Sequence, residues 1–322
     1  MGKASPWTDI ETPGQDYNVR KISGTKGIPL YWGRDSVGHC LFIMELSGDQ
    51  TELFRSQHVK VQGIKSELRF IDTSKSQRMV VSLEKHVDQD LFFAMCQTLI
   101  TALCEITDSA TGLSIALAQI KRWKAFMAGK KRGVLSAEQV RGLFGELAFL
   151  QQLLDHAGTQ EDALTSWEGP ESIQQDFILS NMAVEVKTLS GRERNSVRIS
   201  SEDQLDSLND RLFLKVFRIS EMPDSDRAAS LNGLIRQIAG RLSDYSVLEI
   251  FYEKLAKAGY VELSEYDNPR FIVSEERLYG VDDAFPKLIR SELPDGVSDV
   301  RYDIHLERIK TFLVRDDVLW EK

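Results

Sequence analysis

The chain has 322 residues, 42% of them hydrophobic and 28% charged, with a formal net charge of −9. That length suits two ordinary domains or one elaborated one, and the composition is that of a globular protein. The acidic balance excludes indiscriminate coating of nucleic acid, no apolar run is long enough to span a bilayer, and the three cysteines (Cys40, Cys96, Cys104) form no metal-ligand spacing.

The first residues, MGKASPWTDIETPGQD, contain no apolar h-region, which predicts a cytoplasmic protein. Residues 27–85 read as strand-rich: GIPLYWG, HCLFIMEL, HVKVQGI, SELRFI and RMVVSLE are short β-prone runs separated by polar turns. A helix is predicted from about 88 to 106, with apolar residues at 91, 92, 95, 96, 99, 103 and 106, and it makes Cys96 and Cys104 reduced core residues. A second helix follows over 112–128. Between Thr111 and Leu135 stand six basic residues (Lys121, Arg122, Lys124, Lys130, Lys131, Arg132) and no acidic one, which alone describes a solvated helix end and linker. The predicted division is a strand-rich α+β N-terminal domain over 1–110, a helix and basic linker over 111–135 with its boundary at Gly129–Gly133, and a second domain over 136–322.

Ser136-Ala137-Glu138-Gln139 fits a capping box and opens a helix that continues to about His156. Coil, with a short strand near 164–167, leads to QQDFILSNMAVEVKTL (174–189), a hairpin whose two-residue turn is Ser180-Asn181. Gly191 to Asn195 is a polar loop, SSEDQLDSLND (200–210) a short capped helix, and LFLKVFRI (212–219) a buried strand. Downstream come helices near 230–242 and 246–258 and strands around 271–273 and 300–314, with Pro286 and Pro294 in connections.

Two stretches carry charge where apolar residues are expected. If Ser180-Asn181 is the turn, Leu179 faces Met182 and Asp176 stands opposite Glu185, with Lys187 on the same face. Like charges facing each other across strands are destabilising, so something must compensate. On the preceding helix, Glu146 falls inside the apolar arc of Leu143, Leu147, Phe149, Leu150, Leu153 and Leu154. Gly142 and Gly145 flank it and permit close approach of a backbone or ligand. A bland account exists for each: a buried Glu paired with a cation, and an ordinary i, i+2 ion pair between Glu185 and Lys187. Together, the three acids and one amine point to a divalent-metal site, because Mg²⁺ prefers carboxylate oxygens and water. The cation would relieve the Asp176–Glu185 repulsion, and the ammonium would orient or deprotonate the attacking water.

With Glu146 in GELAFL, Asp176 in QQDFIL, and Glu185 and Lys187 in VEVKT, the chain resembles the PD-(D/E)XK nuclease superfamily over about residues 136–220. More narrowly, it is similar to a bacterial group of that superfamily encoded in restriction-modification-like and phage-defence operons. The resemblance implies an α/β (α+β overall) fold with a restriction-endonuclease-like α-β-β-β-α-β core and mixed sheet at 136–220, followed by a C-terminal α/β extension. It implies a Mg²⁺- or Mn²⁺-dependent DNA endonuclease in which Asp176 and Glu185 bind metal, Glu146 completes the site and Lys187 assists the nucleophile. Gln204 is its candidate auxiliary residue, and the six basic residues become candidate phosphate contacts. Implied partners are DNA, a GHKL-type ATPase, a helicase-like protein or a DNA methyltransferase, and a second copy of the chain.

There are departures. Gln175 stands where the eponymous Pro would, and the literal Pro170-Glu171 precedes the strand with no cross-strand geometry to Glu185. Asp282-Asp283 reads as a cap, and Tyr31, Trp32 and Arg34 as packing or a base-contacting cluster. The scattered histidines and the absence of GxxxxGK[ST] argue against zinc and against a P-loop. The alternatives are a catalytically silent nuclease-fold subunit that binds DNA or scaffolds a defence complex, and an adaptor whose function lies in residues 1–110.

Overall fold

Contacts gather the chain into two units, Met1–Gly133 and Val134–Lys322. The computed structural model describes residues 5–71, 76–84, 89–128, 134–156, 158–171, 174–191 and 195–320. The boundary expected at Gly129–Gly133 lies outside the described residues.

In the first unit, β1 (Tyr17–Lys21), β2 (Leu30–Asp35), β3 (Cys40–Ser47), β4 (Ile64–Phe70) and β5 (Ser76–Leu83) form an antiparallel sheet in the order β1-β2-β3-β5-β4. Three helices accompany it: α1 (Thr51–Gln57), α2 (Gln89–Leu103) and α3 (Ser109–Ala128). Trp7 sits in the core between Trp32 (4.9 Å between ring centroids) and Phe92 of α2 (5.4 Å). Arg34 Nη2 donates to the Trp7 carbonyl at 2.8 Å, so Trp32 and Arg34 serve packing. The run HVKVQGI is not a strand, because Gly63 turns the chain at φ +78° and β4 begins only at Ile64. The sequence pattern missed β1, whose residues are mostly exposed, and α1, which buries none.

The second unit is mixed α+β. The capping box forms: Ser136 N donates to Gln139 Oε1 (2.9 Å) and Gln139 N to Ser136 Oγ (3.2 Å). It starts α4 (Ala137–His156), and α5 (Gln160–Thr165) follows where coil and a strand were expected. Only Trp167 bridges to Phe177 there. Next come β6 (Phe177–Leu179), β7 (Met182–Ser190), β8 (Ser196–Ile199), β9 (Arg211–Glu221), β10 (Ala229–Ser230), α6 (Leu231–Arg241) and α7 (Tyr245–Lys257). The last strands are β11 (Arg270–Gly280), β12 (Tyr302–His305) and β13 (Leu313–Val314).

The main sheet runs β10-β11-β9-β7-β6, with β13 added to β11; β7 and β9 are parallel and the other pairs antiparallel. β8 leaves this sheet and pairs with β12. β7 and β9 are buried along most of their length, as expected of strands covered on both faces. α4 lies on β7 with Leu143, Phe144, Leu147 and Leu150 inward, and its Phe149 meets Phe177 edge to face at 4.8 Å. Burying each such side chain is worth about 1.5–3 kcal/mol. Gly145 makes the approach possible, since a Cβ there would lie 2.4 Å from Thr188 Cγ2; beside Gly142 there is open space, contrary to expectation.

The helix expected at 200–210 is a single 3₁₀ turn, Glu202–Leu205, capped by Ser201. Gln175 is tied to it. Its Nε2 donates to the carbonyls of Asp203 (2.9 Å) and Asp206 (2.8 Å), acceptors that a continuing helix would need. No described helix is long and apolar enough to cross a membrane.

Candidate active site

The hairpin has the register its turn requires, Leu179↔Met182, Ile178↔Ala183 and Phe177↔Val184, with Ser180 at φ +44°. The ladder then stops, and Asp176 leaves it. Its Oδ2 accepts the Val186 N–H at 2.8 Å, where a continuing ladder would have offered the Gln175 carbonyl. Its own carbonyl accepts from the amides of Glu168 (2.8 Å) and Gly169 (3.0 Å). Asp176 is thereby held at both ends.

Glu185, on β7, is 1% exposed, and Lys187 Nζ lies 2.7 Å from its Oε1. Its other oxygen, Oε2, accepts no hydrogen bond from a described residue. Burial, then the charge of Asp176, pushes the Glu185 carboxyl up to about 8, with Lys187 opposing. Asp176 is raised as well, by burial, against the pull of Lys187 and the Val186 N–H. Burial works against the Lys187 ammonium, but Glu185 and Asp176 outweigh it and its pKa is raised. Lys187 Nζ also donates to Gln204 Oε1 at 3.1 Å, an oxygen that accepts from Ser200 N at 2.7 Å. Two carboxylates and one ammonium leave an excess of negative charge in a poorly solvated place.

Glu146 reaches the same region from α4, half-buried, and its Oε2 accepts from Trp167 Nε1 at 2.8 Å. Between it and Asp176 runs Gly169. A Cβ on Gly169 would stand 2.6 Å from Glu146 Oε2 and 3.0 Å from Asp176 Oδ1, so a side chain there would fill the gap between the acids. Among the described residues no three His, Cys, Asp or Glu side chains are gathered closely enough to enclose an ion. Mg²⁺ asks for less, commonly one or two carboxylates with water and phosphate. The hard oxygen donors, the buried Glu185 carboxylate with unmet hydrogen-bonding capacity and the cradle at Gly169 fit such a cation.

Glu171 and Asp282 have partners outside this cluster. Glu171, of the literal Pro-Glu, turns to Lys257 at 2.7 Å, and Asp282 caps the Ala284 amide at 2.9 Å. Lys121, Arg122 and Lys124 are on α3 of the first unit, whereas Lys130, Lys131 and Arg132 lie outside the described residues. Trp167, Gly169 and Tyr302 escaped the sequence pattern. Tyr302 accepts from Leu288 N at 3.1 Å; burial raises its phenol, while the Leu288 N–H and the charge of Lys187 oppose. No local motif marks it, because it arrives on β12 from 115 residues beyond Lys187. A Trp-Glu-Gly triplet just ahead of an acid-bearing strand is the one signal that could have drawn attention to the other two.

The sequence profile of one family, described as “Putative PD-(D/E)XK family member, (DUF4420)”, matches residues 4–307. No curated protein and no solved structure matches the chain.

Proposed function

Because the chain belongs to the DUF4420 family, described as PD-(D/E)XK, we propose that it is a divalent-metal-dependent endonuclease that hydrolyses DNA phosphodiester bonds. Its working core is restriction-endonuclease-like, built from α4, β6, β7 and β9, and it serves a bacterial restriction or anti-phage system. The partners proposed are a GHKL-type ATPase, a helicase-like protein or a DNA methyltransferase, and a second copy of the chain or one of these partners would accompany double-strand cutting. The observation that carries this reading is the convergence of Asp176, Glu185 and Lys187, with Glu146 across Gly169, on one acid-rich, poorly solvated spot.

Asp176, Glu185 and Glu146 would hold Mg²⁺ or Mn²⁺ with water and phosphate supplying the remaining oxygens, and the ion when bound supplies Lewis-acid polarisation of a phosphate oxygen. The chain does the rest. Val186 N and the amides of Glu168 and Gly169 fix Asp176, so its carboxylate needs little rearrangement on binding. Lys187, kept as an ammonium by its acidic neighbours, stabilises the charge that builds on the phosphate as its bond to the leaving oxygen breaks. Gln204 holds that ammonium toward the site. Charge stabilisation suits Lys187 better than proton abstraction, for which a depressed pKa would be needed.

The test is plasmid cleavage with Mg²⁺ or Mn²⁺, with and without the proposed partners, alongside calorimetric titration with Mn²⁺. Asp176→Ala and Lys187→Ala should each lower cleavage by at least about 100-fold without unfolding the protein. Cleavage surviving both substitutions overturns the site. Mn²⁺ binding without cleavage in any mixture overturns the enzyme in favour of a silent DNA-binding scaffold.

A further inference from the structure

The short segment from Ser166 to Gly169 touches both sides of the acid cluster. Trp167 is fully buried, and its indole N–H donates to Glu146 Oε2 at 2.8 Å. One and two residues later, the amides of Glu168 and Gly169 donate to the carbonyl of Asp176. Gly169 itself stands where a side chain would displace the Glu146 carboxylate and crowd that of Asp176. The segment is anchored on both flanks. Ile178 N donates to the Ser166 carbonyl at 2.8 Å, and Trp167 bridges to Phe177. On the other flank Phe251 of α7 packs against the indole at 6.3 Å, and the nearly buried Lys254 donates its ammonium to the Trp167 carbonyl.

An indole has a single donor and no acceptor, so a fully buried one must spend its N–H on a fixed oxygen. Here that oxygen belongs to a carboxylate on another element, and the bond sets how the Glu146 head is turned. We propose that Trp167, gripped by Lys254, is a positioning residue that orients Glu146 and holds it at the right separation from Asp176 for a shared divalent cation. The inference rests on the metal-binding reading above and deepens it. Groups that orient metal ligands without touching the ion commonly change affinity by about 10–100-fold when removed. Trp167→Phe preserves the ring that packs on Phe251 and removes only the donor. Lys254→Met leaves the indole intact and removes its anchor.

The measurement is calorimetric titration of the full chain with Mn²⁺ alone, in the absence of DNA, so that no turnover enters the readout. Trp167→Phe should weaken Mn²⁺ binding by about 10-fold and Lys254→Met by about 3-fold, with melting transitions still cooperative. A second readout is Tb³⁺ luminescence excited through tryptophan at saturating Tb³⁺. Wild type should show sensitised emission, most of which Trp167→Phe loses although calorimetry reports Tb³⁺ still bound. Asp176→Ala is the reference arm. If Asp176→Ala binds Mn²⁺ as wild type does, the metal site itself is overturned. If Asp176→Ala loses binding while Trp167→Phe and Lys254→Met match wild type, the metal site stands and the positioning role of Trp167 is overturned. Should Trp167→Phe fail to fold, Lys254→Met decides by the same titration.

Discussion

Two adjacent strands of the second sheet each carry one lysine set among two or more carboxylates. On β9, Lys215 is 0% exposed, its ammonium 2.9 Å from both Glu276 and Asp316 and 5.1 Å from the ring of Phe217. On β7, one register position away, the arrangement is inverted: the buried group is an acid, Glu185, and its Oε2 accepts no hydrogen bond from a described residue. Around Lys215 the acids are 34% and 47% exposed, so their remaining oxygens face water while the ammonium takes its partners from them. Around Glu185 neither Asp176 nor Lys187 can restore what desolvation takes away, and the carboxyl is driven toward its neutral form. Counting charges does not separate a structural cluster from a functional one. Which partner is removed from water does, and a buried acid pushed toward its neutral form is the feature on which the proposed cation site rests.

The two clusters should therefore answer mutation with opposite signs. The largest effect is expected from Glu276→Gln with Asp316→Asn together, which strands the Lys215 ammonium and should lower unfolding free energy by about 3–5 kcal/mol in urea titrations. A loss below about 1 kcal/mol would mean Lys215 has other compensation. Glu185→Gln should instead raise the stability of the metal-free protein, by roughly 1–3 kcal/mol near pH 8. The sign follows from the folded carboxyl titrating near 8 against an ordinary 4.5. Its favourable, protonated form is fully present below 4.5 and is lost as pH rises through about 8, so the variant's advantage should widen from acid to mild alkali. An advantage that shrinks with rising pH would refute the assignment. Saturating Mn²⁺ should close the gap by stabilising wild type alone. The smallest effect is Asp316→Asn by itself, expected to cost less than about 1 kcal/mol because that acid is nearly half exposed and Glu276 remains. A larger loss would show that the two acids do not share the ammonium evenly.

Much of this was legible in the sequence where periodicity and turn chemistry act locally. The capping box at Ser136, the 20-residue α4 and the Ser180-Asn181 hairpin register all follow from residues within a few positions of each other. The convergence of Asp176, Glu185 and Lys187 followed from that register, although Asp176 reaches Glu185 from outside the ladder and not as a regular cross-strand pair. What stayed hidden depends on distant partners. Gln175 reads as a lost proline until its amide is seen to bind the carbonyls of the 3₁₀ turn that carries Gln204. Trp167 reads as generic core, and Lys254 as a helix-end lysine, until α7 brings them together beside Glu146. HVKVQGI has the composition of a strand, but one glycine at positive φ decides against it.

Gly145 and Thr188 have a mechanical meaning beyond packing. Thr188 Oγ1 donates to the Arg141 carbonyl at 3.1 Å while its methyl occupies the space a Cβ at position 145 would need, so helix and strand are both tied and touching at this point. Glu146 is the next residue along the helix and Lys187 the one before Thr188 on the strand, which makes this contact the gauge block for the whole acid cluster. A methyl added at Gly145 would act as a shim: α4 would lift and carry Glu146 with it, and displacements of about an ångström are enough to weaken catalysis by about 100-fold. The spacing between Glu146 and the β7 side chains is thus fixed by the absence of one carbon atom.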